Sequence, residues 1–415
     1  MIVAAAVVLT IVLLWSLVAH RLEKWHLSLP LVLVIAGLSV GWESSEVIFD
    51  NLDNSAVEKT VEIILALLLF LDAAELGRFK RRDIGATIRL LVIAIPFSIL
   101  LATLFTRWLY PGMSLILCFV VACIVVPTDM APAATIVKDR RIPDRVRGLL
   151  NIESGYNDGL VAPFFTFGLI LLAGGIDSID VGGEALDEMI PALLWAAFVG
   201  VVLGASTAYA SKFAQKHQLT TPQFQAIGTL AIPLLAYFLT LYLGGNGFVA
   251  AFITGLVHRA IYGPKHHEML KFAEDISVFA QAIVWFVFGQ LLAYTFVVGI
   301  EWKALLVALA SLTVVRMVPV LFSLLGSSVQ WRDRILISWL GPRGIASIVF
   351  ALLAFQEVTD DEREFILQVL SFTILFSILL HGFSAPLIAK RLEGRGQEHQ
   401  ELSHENESVP SAHTS

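Results

Sequence analysis

Residues 151–160 read NIESGYNDGL and lie between two long apolar stretches, LILCFVVACIVVPTD upstream and VAPFFTFGLILLAGG downstream. Glu153 and Asp158 are therefore acids within a region that is apolar enough to lie in a membrane. A charged side chain at the centre of a bilayer costs at least about 2.5–3.5 kcal/mol, so acids in such segments are rare and usually functional. Each of these two acids needs a partner or a ligand that accounts for it.

The composition of the chain predicts an all-α polytopic membrane protein. The 415 residues are 57% hydrophobic and 15% charged, whereas soluble domains are about 45–50% apolar and about 25% charged. Unpaired backbone groups are costly in lipid, so apolar blocks of spanning length should be helices. There are about thirteen such blocks, and they run roughly over 2–19, 27–42, 61–76, 84–106, 113–137, 146–173, 188–211, 223–243, 247–262, 272–299, 304–326, 333–354 and 364–389.

The distribution of basic residues predicts the orientation of the chain. Most of the 28 lysines and arginines follow the odd-numbered spans or lie near the C-terminus. The opposite loops hold only Lys59, Arg107, Lys303 and Arg363. By the positive-inside rule, the N-terminus lies outside and the C-terminus lies in the cytoplasm. We expect an integral protein of a prokaryotic inner membrane, followed by a polar, disordered cytoplasmic tail over 391–415.

Two spans contain strong helix breakers. Span 5 carries Pro127-Thr128-Asp129 and then Pro132, and span 12 carries Gly341-Pro342-Arg343-Gly344. Proline removes a helical hydrogen bond and glycine is a weak helix former, so both spans should unwind near their middles. Broken helices at corresponding places in two halves of a chain are typical of transporters built from inverted repeats. The related triplets would be spans 4–6 and 11–13.

The polar residues of these triplets predict a cation site. The first triplet supplies Asp129, Glu153 and Asp158, and the second supplies Arg316 and Arg343. Ser154 and Asp158 are four residues apart and share a helix face, which offers oxygen ligands to a small hard cation. The neighbouring face can place Glu153 against an arginine. One acid would then be held in an ion pair, and the other would remain able to exchange ligands.

Three motifs together resemble those of the NhaP-type monovalent cation/proton antiporters, within the sodium/proton exchanger superfamily. They are ESGYNDG at 153–159, PTD at 127–129 on the fifth span, and GPRGIAS at 341–347 on the twelfth. The resemblance covers about residues 1–390. It implies a homodimer of thirteen-span protomers. The core domain would comprise residues 84–173 and 304–389, the dimerisation domain residues 1–76 and 223–299, and the linking span residues 188–211.

The resemblance also implies the role of each site residue. Asp158 would bind the cation and the proton, with Asp129 as second acid. Further cation ligands would be the Thr128 carbonyl, Ser154 and Glu153. Supporting roles would fall to Asn157, to Arg316 paired with Glu153, and to Arg343 at the crossing of the broken helices. The Asn157–Asp158 pair implies electroneutral exchange of one cation per proton.

Departures from the family pattern bear on cation choice. Many relatives have proline where this chain has Met130, others have Leu and Phe at Gly155 and Tyr156, and Pro342 replaces a commoner apolar residue. Na⁺ is the expected cation, with K⁺ or Li⁺ as alternatives. A cation-coupled symporter is a further alternative. A channel is disfavoured because few polar residues could line a pore, and an intramembrane aspartyl protease is disfavoured because its GxGD-type signature is absent.

Other polar residues receive plainer interpretations. Asp72 and Glu75 end the third span and are expected to be solvated or to line a funnel. His266 and His267 follow Lys265 in a loop and are expected to be ordinary surface residues, although histidine titrates near neutral pH. The chain carries no nucleotide-binding loop or redox motif. We therefore expect a transporter, not an enzyme, with no cofactor and no nucleic-acid partner. Its partners would be the two ions, membrane lipid and a second copy of the chain.

Overall fold

The computed structural model describes residues 2–24, 27–43, 55–75, 81–130, 139, 141–174, 182–263 and 266–407. We number the α-helices of these ranges in chain order. They are α1 (Ile2–Lys24), α2 (Leu29–Gly41), α3 (Ser55–Glu75), α4 (Ile84–Leu109), α5 (Leu115–Val125), α6 (Asp144–Ala173), α7 (Gly182–Lys216), α8 (Pro222–Tyr242), α9 (Gly247–Tyr262), α10 (His266–Val298), α11 (Trp302–Ser323), α12 (Trp331–Trp339), α13 (Ile345–Ala354) and α14 (Asp360–Glu407).

Each predicted block contains helix. Helices α1 to α11 correspond to the first eleven blocks, α12 and α13 divide the twelfth, and α14 contains the last. Eight helices of the described ranges, α1, α4, α6, α7, α8, α10, α11 and α14, contain stretches long and apolar enough to cross a membrane. The predicted membrane-spanning all-α class is confirmed, and the count of thirteen spans stays a prediction.

Polar side chains fix several of the helix starts. Ser114 accepts a hydrogen bond from the Leu117 amide at 3.0 Å at the start of α5. Asn246 accepts one from the Val249 amide at 3.1 Å at the start of α9. A side-chain acceptor before the first turn satisfies an amide that has no partner within the helix.

Several spans of the two predicted triplets have interrupted helices. Helix α12 ends at Trp339 and α13 begins at Ile345, so residues 340–344 are not helical. Helix α5 ends at Val125, and the continuation of its predicted span over 131–138, including Pro132, lies outside the described residues. The sequence interpretation missed two further interruptions. They are a π-helical turn at Leu90–Ala94 before Pro96 and a break at Thr313 in α11.

Helix α13 lies at the centre of the main apolar core. All ten of its residues are buried, as expected for a helix that is apolar on every side. The core around it draws on α3, α5, α6, α10 and α14. The rings of Phe165 on α6 and Phe350 on α13 stack with their centroids 4.5 Å apart. The half-helix that follows the break in span 12 is thus held by packing on all sides.

Helices α2 and α10 touch through their backbones. A methyl group added at Gly37 would lie 2.1 Å from the Phe286 carbonyl oxygen, and one added at Gly289 would lie 2.2 Å from that of Val34. Glycine at both places allows this close approach, which is a common basis of helix pairing in membranes. The contact joins two helices that the sequence assigned to the dimerisation domain.

Arginines join the two predicted triplets beside the starts of α4 and α6. Arg145 donates to Asp83 Oδ1 at 2.7 Å and to the Ser328 carbonyl oxygen at 2.6 Å. Arg89 on α4 donates to the Leu325 carbonyl oxygen at 2.6 Å. These bonds link the first triplet to the segment after α11, which favours the assignment of both triplets to one core.

The C-terminal end of the described chain is helical. Helix α14 continues to Glu407, whereas the sequence interpretation expected disorder from residue 391. A helix that is already formed extends at little cost through good helix formers such as Glu, Gln and Arg. Residues 408–415 lie outside the described ranges.

Candidate ion-binding site

The two interrupted spans are hydrogen bonded to each other. The Asp129 amide donates to the Pro342 carbonyl oxygen at 2.9 Å. In the opposite direction, the Ile345 amide donates to Asp129 Oδ2 at 3.1 Å. Ile345 is the first residue of α13, so the Asp129 carboxylate caps this helix and faces the positive end of its dipole.

One face of α6 holds the segment after α5 in place. The Ser154 hydroxyl donates to the Thr128 carbonyl oxygen at 3.1 Å and accepts from the Met130 amide at 3.3 Å. Asn157 Nδ2 donates to Thr128 Oγ1 at 2.9 Å. Ser154, Asn157 and Asp158 follow the helical spacing that puts residues on one face. Asn157 of the ND pair therefore contacts the segment that follows α5, and Asp158 is the next residue of α6.

Asp158 is a buried acid without a hydrogen-bonding partner among the described residues. Its side chain is largely buried, and Asp158 Oδ1 and Asn157 Oδ1 accept no hydrogen bond there. A buried polar group left unsatisfied costs about 1–3 kcal/mol, and more when charged. Asp72 and Asp129 act on Asp158 with like charge, and Arg343 acts on it with opposite charge. This carboxyl group has the properties of a site for a proton or a small cation.

Glu153, by contrast, is fully engaged. Arg316 on α11 binds both of its carboxylate oxygens: Nη1 contacts Oε1, and Nη2 lies 2.9 Å from Oε2. Arg316 Nη2 also donates to the Ile337 carbonyl oxygen at 3.2 Å, and both side chains are buried. The pair lies where the resemblance implied it. Cation ligation by Glu153 stays a prediction, and it would require this pair to open.

Arg343 joins the break in span 12 to the end of α5. Its guanidinium group contacts the Val126 carbonyl oxygen and donates to those of Pro127 at 3.1 Å and Ser311 at 3.0 Å. A cation at the C-terminal end of α5 satisfies carbonyl groups that have no partner within the helix. The two broken spans therefore exchange partners: Asp129 caps α13, and Arg343 caps α5.

Two glycines of the GPRG motif are needed for close approaches. A methyl group at Gly341 would lie 2.4 Å from Arg316 Nε, and one at Gly344 would lie 1.9 Å from Asp129 Oδ2. A carbon atom does not approach a non-bonded oxygen or nitrogen atom so closely in a packed protein. Any side chain at residue 344 would displace the carboxylate that caps α13. The glycine pattern therefore reflects two close side chains, Arg316 of the same triplet and Asp129 of the other, as well as helix breaking.

We expect Gly344→Ala to abolish most ion exchange. The added methyl group must push Asp129 away from the Ile345 amide, and an overpacked core site typically costs about 1–3 kcal/mol. The measurement is the cation-dependent change of internal pH in proteoliposomes. Gly148→Ala is the matched control, because a methyl group at Gly148 on α6 meets nothing within 4 Å. Normal exchange by Gly344→Ala would show that the capping contact is dispensable.

Asp72 is an acid outside the predicted set of cation ligands. It is half-buried on α3 and interacts electrostatically with both Asp129 and Asp158. The sequence offers one signal, an acid in an apolar block, and the expectation that Asp72 is solvated or lines a funnel stays a prediction. The backbones of His266 and His267 begin α10, and their side chains lie outside what the structure describes.

A model of the family described as "Sodium/hydrogen exchanger, transmembrane" matches residues 6–391. The chain belongs to this family. The match confirms the family that the three motifs suggested, and a family of cation/proton antiporters makes this exchanger a transport protein. The matched residues run from α1 to the apolar portion of α14.

Individual relatives transport different cations. A Na⁺/H⁺ antiporter of Schizosaccharomyces pombe is 26% identical over 359 residues, which are 78% of this exchanger and 76% of the relative. The K⁺/H⁺ antiporter NhaP2 of Shewanella sp. (strain MR-4) is 25% identical over 379 residues, which are 88% of this exchanger and 63% of the relative. The solved structure of the sodium/proton antiporter MjNhaP1 of Methanocaldococcus jannaschii matches with a TM-score of 0.70 at 21% identity. The match covers 92% of this exchanger and 99% of that chain. The last likeness shows that the fold is shared.

Proposed function

We propose that this exchanger moves one monovalent cation against one proton, with Asp158 binding either ion by turns. The observation that carries the proposal is the buried Asp158 carboxyl group with an unsatisfied oxygen, on the helix whose Ser154 and Asn157 bind the segment after α5. A proton or a cation satisfies this oxygen, and the two exclude each other. Each loaded form is less charged than the bare carboxylate, so loaded carrier crosses a low-dielectric barrier more easily.

The ligands of the cation are proposed from the same geometry. Thr128 and Asp129 belong to the segment after α5, and the Ser154 hydroxyl is hydrogen bonded to it. The Thr128 carbonyl, the Ser154 hydroxyl and the Asp129 carboxylate provide oxygen atoms, which hard monovalent cations prefer. Glu153 reaches the cation only if its pair with Arg316 opens. Asn157 occupies the place beside Asp158 where a second acid would add a second exchangeable charge. Its neutral amide supports electroneutral exchange.

Na⁺ is the proposed cation, and K⁺ is the alternative because one similar protein is described as a K⁺/H⁺ antiporter. The Schizosaccharomyces pombe relative is described as a Na⁺/H⁺ antiporter and the Shewanella relative as a K⁺/H⁺ antiporter. The two similarities are nearly equal in identity, so they do not separate the two cations. Parallel transport assays with Na⁺, Li⁺ and K⁺ decide between them.

The proposed function is tested by the pH dependence of cation affinity. If a proton and a cation compete for Asp158, the half-saturating cation concentration should rise as the pH falls, by up to about tenfold per pH unit. The measurement is the initial rate of exchange in proteoliposomes against cation concentration, over about pH 6 to 9. A half-saturating concentration that does not change with pH would contradict competition at a single carboxyl group.

We also propose a homodimer formed by spans 1–3 and 8–10, with the N-terminus outside. The motif-bearing helices belong to the domain that moves, so the other helices should supply the fixed contact. The test starts from a variant in which the native cysteines of α5, Cys118 and Cys123, are replaced. In this variant, we expect new cysteines at lipid-facing positions of α1 or α8 to crosslink two protomers. Leu17 and Leu235 are suitable exposed positions. Preferential crosslinking through exposed Leu100 on α4 would contradict this arrangement.

A further inference from the structure

Two buried polar residues of α14 face the break in span 12. Ser377 is fully buried and His381 is 2% exposed. They are four residues apart and therefore share one face of the helix. Neither lies in the Asp158 site, and neither belongs to a motif that the sequence singled out. Buried polar side chains in a membrane span need a reason, because each is costly unless satisfied.

These two residues contact both ends of the break. His381 Nε2 lies 2.9 Å from the Trp339 carbonyl oxygen at the end of α12. The Arg343 amide donates to Ser377 Oγ at 2.7 Å. Between them, Ser377 Oγ lies 3.3 Å from His381 Nδ1, which also lies 3.0 Å from the Ser377 carbonyl oxygen. One face of α14 thus spans the whole interruption.

The chemistry of these groups fixes the direction of the two outer hydrogen bonds. A carbonyl oxygen only accepts, so Nε2 of His381 carries a hydrogen, and a backbone amide only donates, so Ser377 Oγ accepts from Arg343. Nδ1 lies between two oxygen atoms of Ser377: the carbonyl oxygen, which only accepts, and the hydroxyl, which can donate or accept, so the role of Nδ1 depends on the protonation of the ring. The chain of bonds runs from the Arg343 amide through Ser377 and His381 to the Trp339 carbonyl.

We infer that Ser377 and His381 form a clamp that sets the shape of residues 340–344 and thereby positions Asp129. Pro342 lies inside the clamped segment, and its carbonyl oxygen accepts from the Asp129 amide at 2.9 Å. Ile345, directly after the segment, donates to the Asp129 carboxylate. Holding both ends of the break fixes both contacts to Asp129. His381 is thus a positioning residue of the cation site, an inference that rests on the proposed exchange.

The test is a double-mutant cycle of Ser377→Ala and His381→Phe. Each single variant should raise the half-saturating cation concentration about tenfold, equivalent to about one lost hydrogen bond. The maximal rate should change less. Because the two residues act through one chain of bonds, the double variant should be no worse than the worse single variant. His381→Gln, which can still donate and accept, should recover most of the affinity.

Ser384→Ala is the matched control. Ser384 accepts from Trp339 Nε1 at 3.0 Å, so it also joins α14 to α12 without touching residues 340–344. Its half-saturating concentration should equal that of wild type. Unchanged affinity in well-folded Ser377→Ala, or strictly additive effects of the two variants, would overturn the clamp.

Thermal unfolding of the same variants separates the clamp from the proposed function. The cycle in unfolding midpoints should be non-additive whether or not the protein transports ions, because it reports contact between the two side chains. If the wild-type protein exchanged no cation but the cycle of unfolding midpoints were non-additive, the proposed function would be wrong and the clamp would be supported. Additive midpoints would remove the clamp alone.

Discussion

Asp158→Asn is expected to reduce cation/proton exchange to the background of empty vesicles while the protein remains folded. The amide is nearly isosteric with the carboxyl group, so the packing of α6 against α5 should persist. An amide neither takes up a proton in this pH range nor offers an anionic ligand to a cation. If one carboxyl group serves both ions, its removal ends both fluxes together.

The measurement is cation-driven pH change in proteoliposomes, with folding checked by thermal unfolding in detergent. Asp144→Asn is the matched control, since it makes the same chemical change on the same helix. Asp144 lies in the first turn of α6 and its side chain is 74% exposed. Exchange should be normal in this control. Substantial exchange by a well-folded Asp158→Asn protein would sink the assignment of Asp158.

Arg316→Ala is expected to lower the stability of the protein more than it alters cation preference. The substitution leaves Glu153 buried without its guanidinium partner, and breaking a buried ion pair on one side costs about 3–5 kcal/mol. It also removes the donor to the Ile337 carbonyl oxygen near the end of α12. Both losses act on the folded state, and neither removes a proposed ligand of the cation.

Thermal unfolding and cation competition together test this expectation. The double variant Arg316→Leu, Glu153→Leu should recover stability, because replacing a buried ion pair by apolar residues is often neutral or favourable. Lys59→Ala removes the exposed pair with Glu62 and should change stability by no more than about 1 kcal/mol. An unchanged midpoint for Arg316→Ala with altered selectivity would show that Arg316 shapes the cation site directly.

The helical fold was predictable because membrane spans carry their signal locally. Long apolar blocks specify helices one at a time, and helix lies in every predicted block. The interruptions were predictable only where the breaker lies in the broken segment itself, as in residues 341–344. The break at Thr313 was missed because it lies six residues before the nearest proline of its helix, Pro319.

The candidate site was predictable as a set of residues but not as a geometry. Three motifs and a family resemblance selected Asp129, Glu153 and Asp158. They could not show that Gly344 makes room for Asp129, because that contact joins distant segments of the chain. His381 carries one signal, an ionisable side chain within an apolar span, but a single histidine has no spacing that would identify its partners. Such contacts depend on tertiary packing, which local patterns do not encode.

The capping of α13 by Asp129 has a consequence for how the protein is made. The two bonded residues are 216 positions apart. Span 5 is therefore synthesised and inserted long before its capping partner exists, and closing so long a loop comes late in folding. During synthesis, the first triplet lies in the bilayer without the hydrogen bonds between Asp129 and the second triplet until the second triplet is inserted. Truncation before residue 345 should therefore leave an inserted protein whose ion site cannot mature, while co-expression of the missing C-terminal fragment should complete it.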